Sequence, residues 1–168
     1  FFTNIYHISD EEVLRIFVNS TVKRHLKKGE FVVKPGEIQK DVYFMEYGIL
    51  RGYFFDANGR ELTDCIRFQC GTAALAAGEL NPAPSPMAIE MLAEGSFFCI
   101  PMSVLASLQE THIEVVRLYN KLLISAFNEH WELKQVLAQY NTTQRYQWFL
   151  EKFPGIIEQI NNKYVASF

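Results

Sequence analysis

Between residues 21 and 101 the chain alternates apolar and polar side chains in short runs separated by turn residues. The runs read VKRHL, EFVVK, DVYFMEY, ILRGYFFD, ELTDCIRF, PMAIEML and SFFCIP, each of strand length. Between them stand Lys28-Gly29, Pro35-Gly36, Tyr47-Gly48, Asn58-Gly59 and Glu94-Gly95. Asn58-Gly59 is the strongest of these signals, because both central positions of a type I′ hairpin turn need positive φ. Many short strands at even spacing fold as a sandwich, jelly roll or barrel. Residues 71–86 break the rhythm: GTAALAAGE is read as one or two helical turns, and NPAPSP as irregular chain.

Helical periods flank the strands. Ser9-Asp10-Glu11-Glu12 has the capping-box pattern with Ser9 as the N-cap, and Val13, Leu14, Phe17 and Val18 then share one face. Thr111-His112-Ile113-Glu114 is a second such box, and helical spacing holds from there to about residue 140. A helix of roughly 29 residues is about 43 Å long, more than a small barrel covers. Its apolar surface, which includes Val115, Leu118, Leu122 and Leu123, therefore needs two partners. One is the chain's own β-roll; the other is the same helix of a second subunit, so that Asp at Leu122 or Leu123 is expected to split a dimer. A further helix is expected over about 142–153, ended by Pro154-Gly155. Residues 163–168 carry a helical pattern but are too few to stand as an independent helix.

The formal net charge of −3 makes the chain as a whole no general polyanion binder. Aromatic residues reach 14%, which favours a well-filled β core. Cys65, Cys70 and Cys99 are scattered and odd in number, which fits a reducing compartment and gives no zinc or iron–sulfur ligand pattern. No apolar run reaches the roughly 18 residues of a membrane span. The start, FFTNIYH, lacks a basic n-region or an initiating Met, so the chain reads as trimmed, untargeted and cytoplasmic. His7, His25, His112 and His130 form no metal-binding pair, and neither a GxSxG elbow nor a P-loop is present, so no metal, cofactor or catalysis is expected.

The order of helix, short strands, small insertion, one long helix and short helices resembles the Crp/Fnr superfamily of bacterial transcription regulators. The resemblance is carried by LKKGEFVVKPGE, by DVYFMEYGILRGYFFDANGRE and by RYQWFLEKFPGIIEQINNKYVASF, and it spans essentially the whole chain. It implies an α+β fold: an antiparallel β-roll or jelly roll (double-stranded β-helix), then a long dimerisation helix and short helices. In these terms residues 1–110 are a cyclic-nucleotide-binding-like sensor domain and 111–141 the dimerisation helix. Residues 142–168 begin a winged helix-turn-helix DNA-binding domain whose recognition helix is absent from this sequence.

The family's cyclic AMP binders carry Gly-Glu on a short helix and a following Arg that grips the cyclic phosphate. The resemblance thus points to Gly78, Glu79 and Ser85 as ligand-binding positions. No Arg or Lys lies between Cys70 and Met102, however, and a buried phosphate needs a compensating charge. Arg51, Arg60 and Arg67 lie on or near strands, and any of them could point inward to replace that charge, although solvated strand-edge arginines are the commoner case. The chain is therefore read as the sensor and dimerisation part of a Crp/Fnr-type regulator. Its partners would be a second copy through the 111–140 helix, DNA through a C-terminal domain, and a small-molecule effector other than ordinary cyclic AMP. A stand-alone cyclic-nucleotide-binding-type module without DNA binding is the alternative.

Overall fold

The computed structural model describes residues 1–76, 80 and 83–168. Two short helices, α1 (Phe2–Tyr6) and α2 (Glu11–Ser20), precede the strands β1 (Val22–Leu26), β2 (Phe31–Val33), β3 (Asp41–Phe55), β4 (Glu61–Arg67), β5 (Ala73–Ala74) and β6 (Ala88–Pro101). Then come α3 (Met102–Gln109), α4 (Ile113–Gln139), α5 (Thr142–Lys152), a 3₁₀ turn (Ile156–Glu158) and α6 (Asn162–Ala166). The chain thus folds as an antiparallel β-roll followed by a long helix and short helices.

The long strands β3 and β6 form the spine of the roll. The first half of β3 pairs with the second half of β6, and the remaining halves pair in the same antiparallel sense. β1 and β2 add to β6, whereas β4 and β5 add to β3. At Tyr47-Gly48 and Glu94-Gly95 the alternation predicts tight turns; instead each strand runs through a bend, with register shifts along the pair between Met45 and Leu50. Gly48 has φ 127°, and a Cβ placed there would sit 2.7 Å from the Cα of Gly95. Two backbones meet where side chains have no room, so the glycines make a corner without breaking the ladder.

The apolar period sorts β3 between cores. Val42 and Phe44 face a cluster built with Phe2, Phe17, Leu105 and Leu118 from the surrounding helices. Tyr43, Met45 and Leu50 fill the roll with Met91 and Phe97. Ile49 joins Ile66, Leu92, Phe149, Phe153 and Ile156 in a third cluster, which fastens the C-terminal segment to the roll. That packing explains why α6 is helical although so short: helices of this length persist only against a surface.

Three local expectations shift. The N-cap of α2 is Asp10, whose carboxylate accepts from the amides of Glu12 and Val13. Ser9 instead donates to the Glu114 carboxylate 2.5 Å away, and the amides of Ser9 and Asp10 donate to the same group. Glu114 is therefore not closing a capping box at its own helix, whose N-cap is His112; it bonds the chain entering α2. Ala73 and Ala74, read as part of a helical turn, form β5 because β3 offers a free edge there.

Candidate functional site

α4 crosses the roll and leaves a cavity of about 600 Å³ between them, well within the roughly 300–1,000 Å³ usual for small-molecule sites. Val42, Phe44, Leu50 and Ile89 line it from the strands, and Leu118 and Leu122 from α4. Ile5 and Tyr6 of α1 complete the wall, with the Tyr6 hydroxyl donating to the carbonyl of Gly71. Burial pushes the Tyr6 hydroxyl far above its ordinary pKa, with the nearby Cys70 acting in the same direction, so it stays protonated.

The charged side chains of the lining are Asp64, Arg67, Lys121, Glu129 and His130. Arg67 of β4 is ion-paired with Glu129 of α4, and Asp64 lies 3.6 Å from His130 of the same helix. Lys121, itself exposed, lines the cavity from α4. Asp64, Arg67, Glu129 and His130 thus face one another where β4 meets α4, and the remaining wall is mainly apolar, with Gln69, Thr72 and Ser125 as uncharged polar members. Cys65 also lines the cavity, and burial raises its thiol pKa, leaving it protonated and unreactive.

A β-bulge sets this arrangement. Gly52 pairs with Cys65 but Tyr53 pairs with Thr63, which leaves Asp64 unmatched. The extra residue reverses the faces of β4, so that Cys65 and Arg67 turn to the cavity while Thr63 turns to the opposite side.

On that opposite side lies Arg51, only 1% exposed. Its Nε donates to Thr63 Oγ1 at 2.7 Å, its Nη1 to Glu61 Oε2 at 2.7 Å and Glu90 Oε1 at 3.0 Å, and its Nη2 to Ser167 Oγ at 3.2 Å. The guanidinium is sandwiched between the rings of Tyr53 and Tyr164. The Thr63 amide donates to the Ser167 carbonyl, so the end of α6 is bound directly to β4.

Of the residues singled out by sequence, Gly78 and Glu79 lie outside the described residues; their described neighbours Ala76 and Leu80 line the cavity. Ser85 is 4% exposed, and its hydroxyl donates to the carbonyl of Met87 at 2.5 Å. That hydroxyl is engaged in its own turn, and Ser85 is not among the described lining residues. The solvated reading of the arginines holds for Arg60, paired with Asp56 on the surface, and fails for Arg51 and Arg67. Arg51 carried a signal, since it shares the parity of the apolar Ile49 and Tyr53 within one strand. Arg67 carried none: its turn toward the cavity depends on the bulge. Among the described residues no cluster of His, Cys, Asp or Glu is arranged to hold a metal ion. Nor is any helix long and apolar enough to cross a membrane.

No protein-family model matches the chain, and no curated protein matches its sequence. Solved structures do match. FixK2 from Bradyrhizobium japonicum superposes with a TM-score of 0.76 at 15% identity, covering 88% of this chain and 76% of FixK2. A proposed Crp/Fnr-family transcriptional regulator from Eubacterium rectale gives 0.73 at 18% identity, over 88% of this chain and 69% of its own. The c-di-GMP responsive global regulator CLP of Xanthomonas campestris gives 0.71 at 17% identity, over 89% and 74%. The chain thus shares the fold of these Crp/Fnr-family regulators, an antiparallel β-roll followed by a long helix.

Proposed function

We propose that this chain is the sensor and dimerisation part of a cytoplasmic, non-catalytic transcription regulator of Crp/Fnr type. The observation that carries the reading is that one cavity is walled jointly by the roll and by α4, while the outer side of α4 stays apolar and uncovered. There Ile124 is 60%, Phe127 66% and Trp131 50% exposed, and the Phe127 and Trp131 rings stack. Surface of that kind on a long helix is suited to a second copy of itself. An occupant of the cavity would touch the roll and α4 together and so bias how two such helices pack. In this reading residues 1–110 sense, 111–141 dimerise, and 142–168 begin a DNA-binding domain. The regulators of known structure that share the fold support that division by analogy.

The dimer surface is narrower than the periodicity predicts. Leu122 packs toward the roll and the cavity, Leu123 and Phe127 reach the cavity's rim while remaining exposed, and Ile124 faces outward. Phe127→Asp should therefore convert a sedimenting dimer to a monomer with an unchanged circular dichroism spectrum. A wild-type chain that sediments as a monomer at micromolar concentration would overturn the reading. The close docking of 142–168 on the roll favours a second reading, a stand-alone binding module without DNA contacts. The reading frame beyond Phe168 separates the two: a basic helix-turn-helix supports the regulator, a stop codon the module.

A further inference from the structure

Resting on that sensor reading, we infer that the effector is an uncharged, predominantly apolar small molecule rather than a cyclic nucleotide or another anion. The cavity is about 600 Å³ and is walled for most of its extent by aliphatic and aromatic side chains. Apolar space of that size gains by taking up an apolar ligand, whose transfer from water contributes about 25 cal/mol per Å² buried. A buried anion needs a cation that is not already committed. Arg67, 17% exposed, is the least exposed cation of the lining, and Glu129 of α4 neutralises it. Lys121 lines the cavity only from its solvent-exposed rim, where water and salt screen its charge. The chain between Cys70 and Met102 adds no Arg or Lys. An anionic head group in this cavity would therefore meet Glu129 or remain unpaired, and either is costly. A neutral molecule with one hydrogen-bonding end meets no such penalty. Gln69 and Thr72 lie on the same side as the Arg67–Glu129 pair, where that end would be placed.

The test compares two probes with the same tail, 1-decanol and decanoate, with cyclic AMP as a third, by calorimetry on the full chain at pH 8. Decanol should bind one per chain, with a dissociation constant at least about tenfold below that of decanoate, and cyclic AMP should give no heat. Ala126→Trp, which fills the cavity from α4, should abolish decanol binding with the helix content unchanged. Glu129→Gln should free Arg67 and improve decanoate binding about tenfold, a larger change than it makes to decanol binding. Cyclic AMP or decanoate binding as tightly as decanol would overturn the ligand class and leave the sensor reading intact. Decanol that binds Ala126→Trp as well as wild type would place the ligand elsewhere and overturn the inference. A decanoate affinity unmoved by Glu129→Gln would overturn the argument from charge. If none of the three probes binds while Phe127→Asp still splits the dimer, the inference fails and the dimerising helix survives it.

Discussion

Leu50 and Arg51 are neighbours on β3, and they face opposite sides of one sheet with opposite consequences. On the side of Leu50 the wall is mainly apolar, with its charges gathered where β4 meets α4, and about 600 Å³ between roll and α4 is left open. On the side of Arg51 no comparable space remains: the guanidinium bonds two carboxylates and two hydroxyls and is covered by two tyrosine rings. A fully satisfied polar network has one good arrangement and resists any other, because breaking it strands buried charge. An apolar wall beside open space has many near-equivalent arrangements, since dispersion contacts are weak and undirected. The roll thus has one side that fixes the C-terminal segment through a directed polar network and one side on which α4 rests through apolar contacts beside open space. The difference between the sides is testable one residue at a time.

The largest effect is expected at Arg51. Arg51→Ala leaves Glu90 and Glu61 without their shared cation and removes the bond to Ser167. Removing one partner of a buried pair costs about 3–5 kcal/mol, which urea unfolding monitored by circular dichroism would read. The amide of Thr63, which donates to the Ser167 carbonyl, should exchange with solvent faster in the same variant. A loss below about 1 kcal/mol would mean that the network contributes no more than a surface ion pair. The next effect compares the two sides directly. Ile66 sits in the tightly packed third cluster and Leu50 at the edge of the cavity, and both are almost fully buried. Ile66→Ala should cost about 3–4 kcal/mol, and Leu50→Ala about 2, because Leu50 already lacks neighbours on one side. Equal losses would show that the cavity side is packed as tightly as the other.

The same contrast decides what the sequence could reveal. β3 and β6 are buried on both faces and show as apolar runs between turn residues, so the roll was legible from DVYFMEY to SFFCIP, whereas β1 is almost wholly exposed and was legible by its length and flanking turn alone. The long helix was legible as an apolar surface too wide for one partner. What failed to show were features set by contacts distant in sequence. Gly48 and Gly95 read as turns because nothing local tells a corner from a hairpin; their mutual approach makes the difference. Glu114 read as half of a capping box, but its carboxylate serves Ser9 and Asp10 about a hundred positions earlier. The charged edge of the cavity depends on a single unmatched residue, Asp64, which turns Arg67 to one side and Thr63 to the other. A one-residue change of register carries no compositional signature, so the charged lining of the site stayed hidden while its apolar framework did not.

The smallest expected effect lies on the cavity side, at the polar contact between the start of α4 and α2. The hydrogen bond from the Ser9 hydroxyl, followed by those from the amides of Asp10 and Ser9, holds the Glu114 carboxyl below its ordinary value of 4.5. A carboxylate whose folded pKa is lowered contributes stability that is fully present above that ordinary value. The contribution is lost as pH falls through the folded value. Glu114→Gln should therefore melt lower than wild type at pH 7, on the order of 2 °C, and the gap should narrow as the pH is taken below 4.5. Calorimetric scans at pH 7 and pH 3 measure the gap. A gap as wide at pH 3 as at pH 7 would mean that Glu114 acts through packing rather than charge. A gap of ten degrees or more would mean that α4 is fixed by this exposed contact as firmly as α6 is by Arg51. A small gap that narrows in acid is what an adjustable helix requires: Val115 and Leu118 hold α4 by apolar contact, and the polar tie sets only its resting position.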